Sequence, residues 1–202
     1  MKSVPIKIEY GGKWVATTMG IGEDRIRIDA PLNREVPYKS MVDLREKKNQ
    51  VVITAGANGE DVYQIASVEK VLTVLKKFII MQCSAYRLNA FFMSPAIRGG
   101  VLVQDARWNK GAIAVMKTGI WFVSQDTQVC IPLDEVADIE LTSREIQEKN
   151  LDVVKIDHLI ENEVVTSFVL CPLTTLQVLY NFLKEATRDF EVNEEIDPLI
   201  GQ

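Results

Sequence analysis

The sequence predicts a mainly β (α+β) chain of two tandem small domains, each ended by an amphipathic helix. Three observations lead there. Strand signals of period 2 recur at short intervals, the period switches twice to helical spacing, and the order of these signals in the first half returns in the second.

In the first half, Ile6, Ile8 and Tyr10 alternate with Lys7 and Glu9, and Trp14 to Met19 is rich in strand formers. Arg25-Ile26-Arg27-Ile28 alternates strictly, with the isoleucines on one face and the arginines on the other. Met41 to Arg45, Val51 to Thr54 and Val62 to Ile65 follow, the last two joined by the hairpin signal Gly56-Ala57-Asn58-Gly59. The period then lengthens. Val68, Val71, Leu72, Leu75, Phe78 and Ile79 form one helical stripe that ends at Gln82, and Ser67 is placed to cap it.

The second half runs in the same order. Gly111 to Met116, Ile120 to Val123 and Thr127 to Ile131 read as strands, and Val153 to Asp157 with Val164 to Val169 reads as a hairpin turning at Glu161-Asn162. Leu173, Leu176, Leu179, Tyr180 and Leu183 give a second amphipathic helix with Pro172 at its entrance. Val36 to Leu44 ("VPYKSMVDL") overlies Ile131 to Ile139 ("IPLDEVADI") at an offset of 131 − 36 = 95, and Leu72 to Ile79 overlies Leu176 to Leu183 at 176 − 72 = 104. The difference, 104 − 95 = 9 residues, is assigned to Thr142 to Asn150, a charged segment read as loop or helix.

Seven strands followed by one helix predict a pleckstrin-homology-like barrel, so the expected architecture is two such barrels in tandem. The boundaries are residues 1–87 for the first, 88–109 for an apolar inter-domain segment, 110–190 for the second and 191–202 for an acidic tail. Residues 88–109 hold Ala90-Phe91-Phe92-Met93 and Val101-Leu102-Val103, too apolar for a free tether. They are expected to pack between the domains or to add a strand to one of them.

Composition narrows the function classes. The net charge is −5 at 202 residues, which opposes a nucleic-acid-binding role that needs a basic face. Three cysteines with no C-x-x-C spacing read as reduced, buried hydrophobes and point to the cytoplasm. The start lacks the apolar core of a signal peptide, and no apolar run reaches membrane-spanning length, so no membrane insertion is expected.

No catalytic constellation assembles from the sequence. His158 is the only histidine, which excludes a metal site with two histidine ligands from one chain, and it reads as an exposed strand-end residue beside Asp157. No phosphate-binding glycine loop occurs. Asp134, Glu135 and Asp138 read as a solvated strand edge. The chain is therefore expected to be non-enzymatic, with no cofactor and no metal. Lys13 with Arg25 and Arg27 has the spacing that pleckstrin-homology domains use for inositol phosphates, which makes these three a candidate anion site and gives an alternative reading as a phosphoinositide- or membrane-surface-binding domain. Surface ion pairs with nearby carboxylates are the plainer reading.

Lys110 to Leu141 ("KGAIAVMKTGIWFVSQDTQVCIPLDEVADIEL"), Val164 to Val169 ("VVTSFV") and the closing helix resemble the archaeal taxis protein CheF family, best from about Arg98 to Leu183. The resemblance implies an adaptor that binds the phosphorylated response regulator CheY and proteins at the base of the archaellum motor, and that catalyses no reaction. It supplies no site residues. By composition, the best protein-binding cluster is Phe91, Phe92, Arg98, Arg107 and Trp108, whose aromatic and arginine side chains suit an interface. The plainer reading makes the aromatics core and the arginines solvated. Exposed sheet edges and the Pro198-Leu199-Ile200 tail also allow a homodimer.

Overall fold

The computed structural model describes residues 1–200, with side chains for residues 1–190. The acidic tail expected over 191–202 falls where side chains, and residues 201–202 altogether, lie outside the described residues. The chain divides into two units, Met1–Tyr86 with Met116–Gly119, and Arg87–Val115 with Ile120–Gln202.

In the first unit the strands are β1 (Lys2–Tyr10), β2 (Lys13–Ile21), β3 (Arg25–Ile28), β4 (Arg34–Pro37), β5 (Met41–Lys47), β6 (Gln50–Ala55) and β7 (Asp61–Ala66). A 3-10 turn, Tyr38–Ser40, joins β4 to β5, and helix α1 (Glu69–Gln82) follows β7. The sheet is antiparallel in the order β4-β3-β2-β1-β7-β6-β5. Alternation decides the faces. Ile6 and Ile8 on β1, Met19 on β2, Ile26 and Ile28 on β3, Val51 and Ile53 on β6 and Ile65 on β7 are buried. Leu72, Leu75 and Ile79 form the buried stripe of α1. Each side chain fully buried this way contributes roughly 1.5–3 kcal/mol. Tyr38 is fully buried and stacks on Phe78 of α1 at 5.5 Å between ring centroids. Gly11 and Gly12 make the two-residue turn between β1 and β2, both at positive φ (60° and 81°), which side chains resist.

In the second unit the strands are β8 (Tyr86–Arg98), β9 (Val101–Leu102), β10 (Asn109–Val115), β11 (Gly119–Ser124), β12 (Gln128–Pro132), β13 (Val136–Ile146), β14 (Lys149–Ile160) and β15 (Glu163–Leu170). A 3-10 turn, Leu133–Glu135, precedes β13, and α2 spans Leu173–Ile200. The order is β12-β11-β10-β8-β15-β14-β13, with β9 paired to β8. Setting β9 aside, this is the strand order of the first sheet. The expected apolar segment 88–109 supplies most of β8, which lies between β10 and β15 as β1 lies between β2 and β7.

The two alignments read from the sequence correspond to matching structure. At the offset of 95, Val36 and Ile131, Tyr38 and Leu133, and Leu44 and Ile139 are all buried, and Pro37 and Pro132 each lead into the 3-10 turn. The register shift between Met41 and Asp43 recurs between Val136 and Asp138, at 136 − 41 = 95. At the offset of 104, Leu72 and Leu176, Leu75 and Leu179, and Ile79 and Leu183 are buried, whereas Val74 and Val178 are both exposed.

Four expectations are corrected. Thr142 to Asn150 is neither loop nor helix. It is the far end of the β13–β14 hairpin, paired through Ile146 and Lys149, so the added length is four or five residues on each strand. Ser67 does not cap α1: Val68 holds that position without a side-chain bond, and the Ser67 hydroxyl donates to the Pro5 carbonyl at 3.2 Å. Neither sheet closes into a barrel; β4 and β5 stand at opposite ends of one, β12 and β13 at opposite ends of the other. Each of β4 and β12 is short and ends on a proline, which has no N–H to extend a ladder. Of the three cysteines, only Cys83 is buried; Cys130 and Cys171 are half-buried.

Candidate interaction surfaces

The basic trio does not converge. Arg25 and Arg27 share the outer face of β3, and the register sets Arg27 opposite Gly20 on β2. Lys13 starts β2 seven residues away, roughly 23 Å along an extended strand. Both arginines are also engaged. Arg25 pairs with Asp24 at 3.2 Å and Glu35 at 3.4 Å, and Arg27 pairs with Asp29 at 3.1 Å. The guanidinium of Arg25 holds the Asp24 carboxyl below the usual range. For Asp29, the Thr18 hydroxyl lowers it first and Arg27 adds to that.

The aromatic–arginine cluster is split between core and surface. Phe91 and Phe92 are neighbours on β8, so they point to opposite faces. Phe92 is fully buried and stacks on Phe122 at 4.9 Å, whereas Phe91 is 43% exposed. Trp108 is half-buried against Met93, Ala96, Ile146, Val153 and Phe168, and Ala106 packs there beside it. The Gln147 amide donates to the Ala106 carbonyl at 3.0 Å, holding this stretch over the long hairpin. Arg107 is exposed. Arg98 ends β8 and pairs with Glu163 at 3.4 Å. Phe91 and Arg98 are seven residues apart, again roughly 23 Å. The structure thus leaves Phe91, Arg98 and Arg107 accessible, with Phe91 and Arg98 at opposite ends of this stretch of β8.

His158 is a buried residue, not an exposed strand end: 2% of it reaches solvent. Its Nε2 lies 2.8 Å from the hydroxyl of Ser167, which lies 2.7 Å from the hydroxyl of Ser94. These three residues come from β14, β15 and β8 and form one polar chain inside the second sheet. Burial lowers the His158 pKa to about 4, against a smaller upward pull from Asp157. Asp157 itself accepts from the Thr166 hydroxyl at 2.5 Å and pairs with Lys155 at 3.2 Å. A serine beside a histidine is a nucleophile–base geometry, and here Ser167 is fully buried. Asp134 and Asp138 are exposed and Glu135 half-exposed, as expected of a solvated edge.

Sequence reasoning missed a polar recess on the first unit. Arg34 donates to the Tyr63 hydroxyl at 3.1 Å and pairs with Asp61 at 3.6 Å, dividing two hollows of about 260 and 400 Å³. Nothing in the spacing of Arg34, Asp61 and Tyr63 signals that β4 and β7 bring them together. Among the described residues, no group of three or more His, Cys, Asp or Glu could hold a metal ion, and no helix is long and apolar enough to cross a membrane.

A search of the curated proteins finds no match. The family model described as Archaeal Chemotaxis signal transduction system protein F matches residues 25–189. That span begins at Arg25 on β3, runs into both sheets and ends within α2, so it takes in the repeated turn, the repeated register shift, α1 and the first part of α2. It covers far more than half of the chain, and the chain belongs to the archaeal chemotaxis signal transduction protein F (CheF) family.

Proposed function

We propose that this protein is a non-enzymatic, cytoplasmic adaptor. It links the phosphorylated response regulator CheY to proteins at the base of the archaellum motor. The observation that carries the reading is the family match across residues 25–189. The repeated strand order supports it, because two copies of one sheet, each with its own outer surface, suit a protein that holds two partners. On the second unit, Phe91, Arg98 and Arg107 are the exposed members of the aromatic–arginine cluster and the first residues to test at the CheY surface; Phe92 and Trp108 support them from within.

The test is a pull-down of purified CheY by the full chain, with CheY either unmodified or activated with beryllofluoride. The expected result is retention of the activated form, reduced by Phe91→Ala or Arg107→Glu. Equal retention of both forms, or none, refutes the adaptor reading.

A further inference from the structure

A notch opens on the outer face of the first unit, where β7 ends and the chain turns into α1. Pro5, Ala16, Ala66 and Val68 wall it, Lys7 and Asn49 edge it, and it measures about 420 Å³. Its depth comes from small side chains. The register places Ala16, Lys7, Ala66, Gln50 and Lys47 in one row across β2, β1, β7, β6 and β5. Side chains in such a row stand on the same face, so two alanines flank Lys7 and leave space on either side of it. Val68 is 66% exposed at the rim.

The second sheet shows what fits at this position. There Phe91 faces Leu170 across β8 and β15, as Lys7 faces Ala66 across β1 and β7. In both units the helix begins three residues after this pair, at Glu69 and at Leu173. The positions that one unit gives to a phenylalanine and a leucine are held in the other by a lysine and an alanine. Charge narrows the choice of occupant. Arg25, Arg27 and Arg34 are each paired with a carboxylate, whereas neither Lys7 nor Lys47 has an ion pair among the described residues. Lys7 and Lys47 lie three strand spacings apart in the row, roughly 14 Å, which an extended acidic segment spans in a few residues.

We propose that the notch formed by Pro5, Ala16, Ala66 and Val68 is a docking site for an acidic protein segment. The segment sets a phenylalanine or leucine side chain beside Lys7, against Ala66 and Val68, and sets carboxylates against Lys7 and Lys47. The apolar anchor supplies the affinity, and the carboxylates fix its direction. This goes beyond the adaptor reading, which assigns no role to these residues and stands or falls on CheY retention alone.

The experiment is an amide-resolved NMR titration of the isotope-labelled full chain. One probe is an acidic peptide of Asp, Glu and Ser with a single central Phe; a second replaces that Phe with Ala; a third is a vesicle of phosphatidylglycerol. The expected result is saturable shifts centred on Ala16, Ala66 and Val68 with the Phe peptide. Affinity should fall by about tenfold or more for the Ala peptide and for the Lys7→Glu chain. Ala66→Leu, which fills the notch, should abolish the shifts. Val68→Glu, at the exposed rim where no core refit is needed, should weaken them if Ala66→Leu disturbs folding. Equal binding of the Ala peptide, shifts centred elsewhere, no shift at millimolar peptide, or binding to vesicles alone would each overturn the proposal.

Discussion

Between pH 6.5 and 4, the unfolded chain takes up a proton at His158 that the folded chain excludes. The cause is geometric: the ring is 2% exposed, bonded through Nε2 to Ser167, and enclosed by β14, β15 and β8. Burial sets the folded pKa at about 4, against 6.5 for the free side chain. The sign follows from linkage. Where the unfolded state binds more protons than the native state, stability rises with pH, by about 1.4 kcal/mol per pH unit for one proton. His158 thus contributes fully above pH 6.5. Its contribution shrinks as pH falls toward 4, for a total of about 3 kcal/mol, and the slope vanishes below that. The assay is urea unfolding at steps from pH 7.5 to 4, comparing the native sequence with His158→Gln. Carboxylates titrate in both, so the difference between the two isolates the histidine. The free-energy gap should narrow by about 3 kcal/mol over this range. Because His158 is the only histidine, its ring-proton resonance titrates alone and gives the folded pKa directly in an untagged chain. Parallel loss of stability in the two proteins, or a resonance titrating near 6.5, would refute the reasoning.

Further tests concern packing. Gly111 on β10 has a backbone so close to β11 that a Cβ there would lie 2.1 Å from the Val123 carbonyl oxygen, so Gly111→Ala should cost about 1–3 kcal/mol or more in a urea melt. Phe92→Ala, in the stack with Phe122, should cost about 3–5 kcal/mol, while Phe91→Ala on the next residue should change stability by less than about 1 kcal/mol. Ser167→Ala strands the buried His158 and removes the partner of Ser94, for a loss of about 1–3 kcal/mol by chemical denaturation. Neutralising Arg25 together with Arg27 should shift the melt little, because their ion pairs are exposed and salt-screened; a large drop would show that they do more than solvate β3.

The strands facing a core on one side and water on the other were legible, because Ile26 and Ile28 against Arg25 and Arg27 print the sheet's two faces directly. The helices were legible for the same reason at a longer period, and the Pro37 and Pro132 turns gave the repeat its register. β8 was harder to read. The neighbours Phe92 and Met93 are both fully buried, so both faces are covered at that point, and covering both faces removes the alternation that marks a strand. The far end of the β13–β14 hairpin failed in the opposite way, with polar residues on both strands and almost no apolar signal until Ile146. His158 was misplaced because its burial depends on β15 and β8, whose partnership lies more than sixty residues apart in sequence. The candidate surface suffered from the same blindness: composition grouped Phe91, Phe92 and Trp108, but strand alternation sends Phe92 inward and Trp108 packs against Ile146, Val153 and Phe168.

The place of β8 also sets a timetable for synthesis. β8 begins four residues after α1 ends, yet its neighbour β15 is completed only at Leu170. The first sheet has all its strands once the ribosome has passed Ala66; for the second, an apolar strand must wait, with one edge open, through some seventy further residues. An exposed apolar edge of that kind is a site for chaperone capture and for pairing between nascent chains. A fragment cut at Lys110, which looks like a natural start when only the sequence is read, would omit β8 and leave β10 and β15 without the strand that joins them.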